Sequence, residues 1–339
     1  MKIIGFESSC DETAVAIADV DENGTIVPLA SCVNSQIPLH RLYGGVVPEI
    51  AGRAHIEAIS PLTEEAFKEA GLTPADIDAV AVTANPGLIG ALLVGVNFAK
   101  AFAFAQNVPL VAVDHMKAHI AAAYVKFEGK EAPKPPFIAL AVSGGHTSLY
   151  LVSSYTDYKE IGATRDDAIG EAFDKVGRVM GLYYPCGAEM DKLASIGDKT
   201  AYKFPSAAIG DDTLDFSFSG MKTAVLNTLN SLAQKNESYK KEDIAASFTD
   251  AFTSTVCKKL DQALKKTGYK TLVLAGGVSA NSHLRSAVTE LCAKRKVTFC
   301  CPPLSLCGDN GAMIAAQAYY EFLDGNLAST SLNASAVAE

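Results

Sequence analysis

The sequence has 339 residues, 49% of them hydrophobic, and a formal net charge of −9. A chain of this length buries a full core and is expected to form two domains. The negative charge argues against a protein that coats nucleic acid by charge alone, and the sequence shows no uninterrupted apolar run long enough to span a bilayer. We therefore expect no membrane contact, and the eight cysteines, which form no CxxC pair, favour reduced thiols in the cytoplasm.

The first 130 residues predict an α/β domain. Two β-rich runs, 2–8 and 13–20, are joined by a turn at residues 8–12. The elements predicted after them are a helix over 48–70, a strand over 78–84, a helix over 90–106, a strand over 109–114 and a helix from 115 to 124. The segment 128–136, rich in proline and charge, is the predicted linker.

The pattern begins again after the linker. Strands are predicted over 137–142, 148–152, 270–275 and 297–301, and helices over 166–181, 188–196, 219–234, 242–267, after 281 and over 309–323. Each half opens with a strand, a small-residue turn and a second strand, which predicts an α/β protein of two duplicated domains with an active-site cleft between them. The predicted domains are 1–130, completed by the C-terminal helix at about 309–339, and 137–308.

Two histidines four residues apart, His115 and His119, form the first candidate site. On a helix they lie on one face, one turn apart, where they can share a metal ion. The spacing alone is weak evidence for a metal site. The zinc-protease form of this motif needs Glu directly after the first histidine, and Met116 stands there. A third ligand must come from elsewhere, and Asp309 is the candidate, with an ordinary helix N-cap as its alternative role.

Three turns of small residues each follow an apolar strand: 8–13, 143–147 and 276–279. Such turns let backbone N–H groups approach phosphate oxygens closely, although each one alone is more often a hairpin turn. Asp11 and Glu12, in the first turn, are candidate catalytic carboxylates that orient a cation or a water molecule. The three turns in this order match the layout of the actin-like ATPase (ASKHA) fold.

An acidic cluster lies between the second and third turns. Asp174 follows Gly170-Glu171-Ala172-Phe173 on a predicted helix, and Asp191 follows a Pro-Cys-Gly turn at 185–187. Both carboxylates are suited to binding ribose or substrate hydroxyls, the alternative being a solvated helix face.

Seven ordered motifs between about residues 3 and 323 resemble the universal threonylcarbamoyltransferase family that acts on tRNA, and most closely its bacterial branch, called TsaD. These motifs are Gly5–Thr13, Gly44–Glu49 with Arg53–His55, the His115/His119 pair, Val142–Thr147, Gly170–Lys175, Gly276–Asn281 and Asp309–Met313.

The resemblance implies the actin-like fold and transfer of a threonylcarbamoyl group from threonylcarbamoyl-AMP to N6 of the adenosine beside the anticodon, in tRNAs reading codons that begin with A. It also implies one divalent metal ion, Fe²⁺ or Zn²⁺, on His115, His119 and Asp309. The adenylate, or an ATP-like nucleotide, would contact Ala141, Val142, Ser143, Gly144, Gly145, Asp174, Gly187, Asp191 and Asn281. The implied partners are tRNA, a TsaB-like paralogue and a TsaE-like ATPase.

Three positions depart from the family pattern. Ala118 and Gly308 stand where the family commonly has Gly and Thr, and Cys186 replaces a glycine and is expected to add bulk near the ribose contact. Two other functions remain open. A small-molecule kinase or ATPase of the same fold needs only the phosphate turns but leaves the histidine pair unexplained, and a metallopeptidase lacks its general base.

Overall fold

The structure is a computed structural model that describes residues 1–127, 129–207, 209–210 and 212–337. The strands are β1 (Lys2–Glu7), β2 (Glu12–Val20), β3 (Ile26–Ser35), β4 (Ala79–Asn85), β5 (Leu110–Asp114), β6 (Phe137–Val142), β7 (Thr147–Val152), β8 (Tyr158–Ala163), β9 (Thr271–Ala275) and β10 (Thr298–Cys300). The helices are α1 (Ile37–Arg41), α2 (Pro48–Ala70), α3 (Ile89–Gln106), α4 (His115–Ala121), α5 (Ile169–Val179), α6 (Gly187–Ala194), α7 (Ser219–Gln234), α8 (Lys241–Thr267), α9 (Ser282–Arg295) and α10 (Gly311–Leu323).

The chain divides into two compact units, each built on its own five-stranded sheet. The first unit comprises Met1–Pro135, Ser153–Tyr158 and Pro302–Glu339, and the second comprises Pro136–Val152 and Lys159–Cys301. The sequence-based bounds differ by a few residues and do not include the segment 153–158 in the first domain. Of the predicted linker, residue 128 lies outside the described residues, as do residues 338 and 339 of the predicted C-terminal segment.

The short segment 153–158 belongs to the first unit because aromatic contacts hold it on α10. The Tyr155 ring stacks on Tyr320 with 3.8 Å between ring centroids. The Tyr158 hydroxyl donates to Gln317 Oε1 at 3.0 Å, and it shares a 2.9 Å hydrogen bond with the Tyr124 hydroxyl. These contacts are tertiary, which is why the periodicity of the sequence gives no sign of them.

The first sheet has the order β3-β2-β1-β4-β5, with β1 antiparallel to β2 and parallel to β4. Helices cover both faces, so the central strands are apolar on both sides. On β1, Ile4 and Phe6 join the core cluster formed with α2 and α3. Gly5 points to the opposite face, towards α10. The sheet thereby brings the carboxyl ends of β1, β4 and β5 to one edge, beside the first turn of α10.

The contact between β1 and α10 depends on two glycines. A Cβ at Gly5 would meet the carbonyl oxygen of Gly311, and a Cβ at Gly311 would meet the backbone N of Ala16. Because these neighbours are backbone atoms, the structure has no flexible side chain that could make room. This close approach holds the start of α10 against the edge of the sheet.

We expect Gly311→Ala to lower the free energy of unfolding by about 1–3 kcal/mol, since the added methyl group must push α10 away from the sheet. Denaturant unfolding of the two proteins measures the change. The control is Gly220→Ala, in α7, where a Cβ meets no atom within 4 Å. The control should be neutral or stabilising, by up to about 1 kcal/mol. Equal stability of wild type and Gly311→Ala would show that the contact is looser than the structure has it.

Helix α3 corrects one expectation from the sequence. By length and composition alone it could cross a membrane, with a mean hydropathy of 1.5 over 18 residues. The structure packs one side of it on β4 and α2, where Leu92, Val96 and Ala99 are buried. Core helices of folded domains pass the same test of length and composition, so this helix is weak support for a membrane span.

The second sheet has the order β10-β9-β6-β7-β8, with β6 antiparallel to β7 and parallel to β9. Its core lies between the sheet and α5, α7 and α8. Phe173 makes edge-to-face contacts there with Phe248 and Phe252, at centroid distances of 5.0 and 5.3 Å. Phe173 thereby fixes α5, the helix that carries Asp174.

The strands and helices predicted from the sequence are confirmed within about three residues at each end. The predictions missed β3, α1 and β8. Strand β3 contains Pro28 beside a register shift against β2, and proline within a run argues against a strand. Strand β8 lies at a sheet edge with half-exposed side chains, so its apolar signal is weak.

Candidate functional site

In the first unit, the end of β5 and the start of α4 place the two histidines. Asp114 caps α4, its carboxylate accepting hydrogen bonds from the backbone N–H groups of Met116 at 2.8 Å and Lys117 at 3.0 Å. The helix therefore starts with His115, and His119 follows one turn later on the same face. Both side chains are buried, and their ring centroids lie 4.5 Å apart.

Asp309 lies beside this pair. Its Oδ1 is 3.2 Å from His119 Nε2 and 3.6 Å from His115 Nε2. The N-cap of α10 is Asn310, whose Oδ1 accepts a hydrogen bond from the Met313 N–H at 2.9 Å. The alternative role of Asp309 as an N-cap is therefore wrong. The three ligand atoms lie within 4.8 Å of one another.

The residues present fit a divalent metal ion. His119 is 1% exposed, and within the described part of the chain neither ring nitrogen makes a hydrogen bond, although buried polar atoms are rarely left without one. Two imidazole nitrogens and one carboxylate are the ligand set of catalytic Zn²⁺ sites and of Fe²⁺ sites that keep open positions. The arrangement can hold such an ion and still bind a substrate oxygen.

The sequence analysis assigned no role to Glu7, which the structure places behind His115. Glu7, at the end of β1, is fully buried and accepts hydrogen bonds from His115 Nδ1 at 3.0 Å, from the Thr83 hydroxyl at 2.6 Å and from the Ser9 N–H. Burial opposes ionisation of Glu7, but His115 outweighs burial and lowers the pKa of the carboxyl. Burial also opposes a charged imidazole, yet Glu7 and Asp309 raise the pKa of His115 to about 9. The sequence signal that could have pointed to Glu7 is an acidic residue at the end of an apolar strand.

Asp11 and Glu12 lie in the same unit, at the end of the turn between β1 and β2. Asp11 is buried, and Glu12 accepts a hydrogen bond from the Ser35 hydroxyl at 3.3 Å. Burial, followed by the negative charges of Asp309 and Asp11, raises the pKa of Glu12 to about 9. Three crowded carboxylates favour a bound cation, which would lower that pKa towards neutrality.

The second unit contains a cavity of about 380 Å³, a volume that suits a small ligand. Its lining residues are Gly144, Gly170, Phe173, Asp174, Pro185, Gly187, Ala188, Asp191, Lys192, Gly277, Val278, Ala280 and Asn281. Five predicted substrate contacts, Gly144, Asp174, Gly187, Asp191 and Asn281, are therefore brought together. The cavity combines apolar walls with a few polar groups, as nucleoside sites do.

Four other predicted contacts are not on the cavity wall. Ala141 and Val142 are fully buried within β6. The Ser143 N–H donates to the His146 carbonyl at 2.9 Å, so it serves the turn and is not free for a ligand. Gly145 is exposed in that turn. The amides of Gly144 and Gly145 are the groups of this turn that can donate to an anion.

The two cavity carboxylates and Asn281 are held by fixed contacts. Asp191 accepts hydrogen bonds from the Ser282 N–H, at 3.2 and 3.1 Å to its two oxygens, and lies 2.8 Å from His283 Nδ1. The Asn281 Oδ1 accepts from the Leu284 N–H at 2.9 Å and caps α9. Because Oδ1 is engaged in this cap, the side-chain NH₂ of Asn281 is the group that faces a ligand as a hydrogen-bond donor. Sequence reasoning missed His283 because nothing in the sequence links it to Asp191.

Cys186 was expected to add bulk near the ribose contact, and the structure corrects this expectation. Its side chain is fully buried against Gly177, and a Cβ at that glycine would lie 2.7 Å from the Cys186 sulfur. The Cys186 N–H donates to Asp174 Oδ1 at 2.6 Å, so this residue orients the carboxylate. Burial, followed by the charge of Asp174, raises the pKa of the thiol to about 12.

The other two departures leave the metal ligands in place. Ala118 is fully buried within α4, so the helix accommodates its methyl group. A Cβ at Gly308 would meet no atom within 4 Å, so lack of space does not explain the glycine at this position.

A family model described as "TsaD: tRNA N6-adenosine threonylcarbamoyltransferase" matches residues 28–316. A protein of that name from Clostridioides difficile (strain 630) is 49% identical over 331 residues, covering 98% of this chain and 96% of that protein. One from Streptococcus pneumoniae (strain CGSP14) is 50% identical over 332 residues, with the same coverage of both chains.

Solved structures show the fold. The chain matches HypF from T. kodakarensis with a TM-score of 0.65 at 14% identity, covering 98% of this chain and 48% of that one. The chain thus spans about half the length of HypF. It also matches the ROK hexokinase from Thermus thermophilus with a TM-score of 0.51 at 14% identity, covering 96% and 100%. The fold is the actin-like ATPase (ASKHA) fold, as expected from the order of the turns.

Proposed function

The chain belongs to the tRNA N6-adenosine threonylcarbamoyltransferase family, and we propose that its metal centre serves transfer of a threonylcarbamoyl group from threonylcarbamoyl-AMP to N6 of adenosine in tRNA. The acceptor is the adenosine beside the anticodon in tRNAs that read codons beginning with A. The observation that carries the metal role is the convergence of His115 and His119, on α4, with Asp309, two residues before α10, which places their three ligand atoms within 4.8 Å of one another.

The reaction requires that the two substrates are positioned and that the negative charge developing at the carbamoyl group is stabilised. The adenine amine attacks the carbamoyl carbon, a C–N bond forms, the C–O bond to the phosphate breaks, and AMP leaves. Held by His115, His119 and Asp309, a metal ion would supply a Lewis acid for the developing negative charge. The proton lost by the attacking nitrogen needs an acceptor, and we assign this task to Glu12, oriented beside Asp11. A carboxyl group with a pKa raised towards neutrality is a better base than an ordinary one.

The cavity of the second unit is assigned to the adenosine part of the donor. Asp174 and Asp191 present carboxylates that accept hydrogen bonds from ribose hydroxyls, and the Asn281 amide donates to the base. The amides of Gly144 and Gly145 are assigned to the phosphate. Among the predicted contacts, Ala141, Val142 and Ser143 would support this site through the backbone of β6 and its turn.

We assign the metal as Fe²⁺ from the family resemblance, with Zn²⁺ as the alternative, since two histidines and one carboxylate are compatible with both ions. Partners are assigned by the same reasoning from the family. A tRNA-modifying enzyme of net charge −9 benefits from a further tRNA-binding surface, and a TsaB-like paralogue and a TsaE-like ATPase would supply it. The proposed location is the cytoplasm, without a membrane partner.

A kinase or ATPase function is the second candidate for this fold, and a metallopeptidase the third. The comparisons with named relatives give neither of them support. The hexokinase match, at 14% identity, shows the fold alone.

The test is a reconstituted reaction. Metal-loaded protein with threonylcarbamoyl-AMP and a tRNA transcript should yield threonylcarbamoyladenosine, detected by mass spectrometry of the digested nucleosides, and the partner proteins should raise the yield. The kinase alternative is tested in parallel by incubating the protein with ATP in the absence of tRNA and measuring the release of ADP. ADP release from ATP together with no modified nucleoside in the complete mixture would overturn the proposed function.

A further inference from the structure

A fully buried carboxylate, Glu7, lies behind one metal-ligand candidate and not behind the other. Its Oε2 is 3.0 Å from His115 Nδ1 and 2.6 Å from the Thr83 hydroxyl, while Oε1 accepts from the Ser9 N–H. His119 has no hydrogen-bond partner at Nδ1 within the described residues. The two histidines therefore differ in how firmly their rings are held.

The contact with Glu7 decides which nitrogen of His115 carries the hydrogen. A carboxylate only accepts hydrogen bonds, so the hydrogen between Glu7 Oε2 and His115 belongs to Nδ1. The Ser9 hydroxyl, 3.2 Å from the same nitrogen, can turn to accept as well. Nε2 is then the nitrogen left to bind a metal ion, and it faces Asp309, 3.6 Å away. In metal sites, such a carboxylate behind a histidine fixes the tautomer and the ring orientation of the ligand.

Glutamine cannot replace Glu7 without loss, although it has the same size. Three donors surround the carboxylate: the Ser9 N–H, the Thr83 hydroxyl and His115 Nδ1–H. If the glutamine oxygen faces His115, its NH₂ group opposes the Ser9 N–H. If the oxygen faces Ser9, the NH₂ group donates to Nδ1 and forces the hydrogen of His115 onto Nε2, which removes the ligand lone pair.

From this geometry we infer that Glu7 is a positioning residue that holds His115 as the Nδ1–H tautomer, ready to bind the metal through Nε2. The inference rests on the proposed metal centre and deepens it. Loss of a residue that hydrogen-bonds to a metal ligand without touching the metal typically weakens metal binding by about 10–100-fold. The Thr83 hydroxyl donates to the same carboxylate oxygen as His115, so its removal leaves the Glu7–His115 contact itself in place.

The experiment uses the full-length protein and Zn²⁺ alone. The dissociation constant of Zn²⁺ is measured by competition with a chromophoric chelator for wild type, Glu7→Gln and the matched control Thr83→Val, which keeps the Glu7–His115 contact. We expect binding about 10–100-fold weaker for Glu7→Gln and less than about threefold weaker for Thr83→Val. NMR of the imidazole nitrogens in Zn²⁺-loaded wild type should show His115 with its hydrogen on Nδ1.

The outcomes separate the two proposals. Glu7→Gln that binds Zn²⁺ as tightly as wild type, or wild-type His115 with its metal on Nδ1, would overturn the role of Glu7 while the metal centre stands. Weaker Zn²⁺ binding by Glu7→Gln, together with a wild-type protein that fails to modify tRNA in the reconstituted reaction, would uphold this role and overturn the proposed function. If Glu7→Gln does not fold, the NMR measurement on wild type decides.

Discussion

The variant His119→Ala is expected to bind Zn²⁺ or Fe²⁺ more than about 100-fold more weakly than wild type and to lose tRNA modification. The reason is the burial of this side chain, which is 1% exposed and directs Nε2 to within 3.2 Å of Asp309. Loss of a residue that only hydrogen-bonds to a metal ligand weakens metal binding by about 10–100-fold, and removal of a direct ligand weakens it more. Because metal supplies the charge stabilisation, transfer should fall with metal occupancy.

The measurement pairs metal content per chain with the yield of modified nucleoside at saturating tRNA. The fold should survive, since alanine favours helix and α4 keeps its Asp114 cap. Thermal unfolding of the metal-free proteins checks this. The matched control is His283→Ala, in the second unit, which should keep one metal ion per chain. Retention of stoichiometric metal and full modification by His119→Ala would remove this histidine from the proposed centre.

The periodicity of the sequence was sufficient for the central elements of the fold. Strand β1 is apolar on both faces because it lies between α10 and the helices α2 and α3, and that burial is visible as a continuous apolar run. Helix α2 begins at Pro48 and ends before Gly71 in the left-handed region, which are strong boundary signals. Strands β3 and β8 lie at sheet edges, where the apolar pattern is weak because one side of the strand faces solvent.

The site was predictable only in part. The spacing of His115 and His119 is local, so helix geometry alone suggests a shared ion. Asp309 could be named as a candidate, and the family resemblance implied it, but no local spacing identifies it as the third ligand, because the close approach of Gly5 and Gly311 that brings it near is tertiary. Glu7 contacts His115 across 108 residues of chain. No local pattern encodes such a contact.

The glycine-rich turn after β6 shows a different limit. The family resemblance implied residues 141–145 as one contact surface, and the small residues of the turn at 143–147 were expected to let a ligand approach the backbone. The structure divides them, with Gly144 on the cavity wall and Ala141 and Val142 in the core. Gly170 accounts for part of this division, since a Cβ there would lie 2.7 Å from the Ser143 carbonyl oxygen. A small residue can therefore be required by packing against a neighbouring helix rather than by a ligand.

The variant Glu12→Gln is expected to lower kcat for transfer by about 10²–10⁴-fold while metal content and the KM for threonylcarbamoyl-AMP stay close to wild type. Glutamine keeps the size of the side chain and can still accept from the Ser35 hydroxyl, but it cannot take the proton of the attacking amine. Burial and the neighbouring carboxylates raise the pKa of Glu12 to about 9 in the metal-free protein, and a bound cation would lower it towards neutrality, where the ionised carboxylate can take the proton. Rapid-mixing kinetics on metal-loaded protein separates kcat from KM.

A second measurement on the same variant tests its environment without catalysis. In the metal-free wild type the folded-state pKa of Glu12, about 9, lies above the ordinary value of 4.5, so the folded protein binds the extra proton more tightly. The free energy of unfolding should therefore fall as pH rises from 4.5 towards 9, and Glu12→Gln should lack this part of the decline. Its advantage over wild type should grow with pH, whereas the exposed control Glu64→Gln should follow wild type in both stability and kcat. A variant with normal kcat would exclude Glu12 as the base, and parallel stability curves would contradict its buried, acidic surroundings.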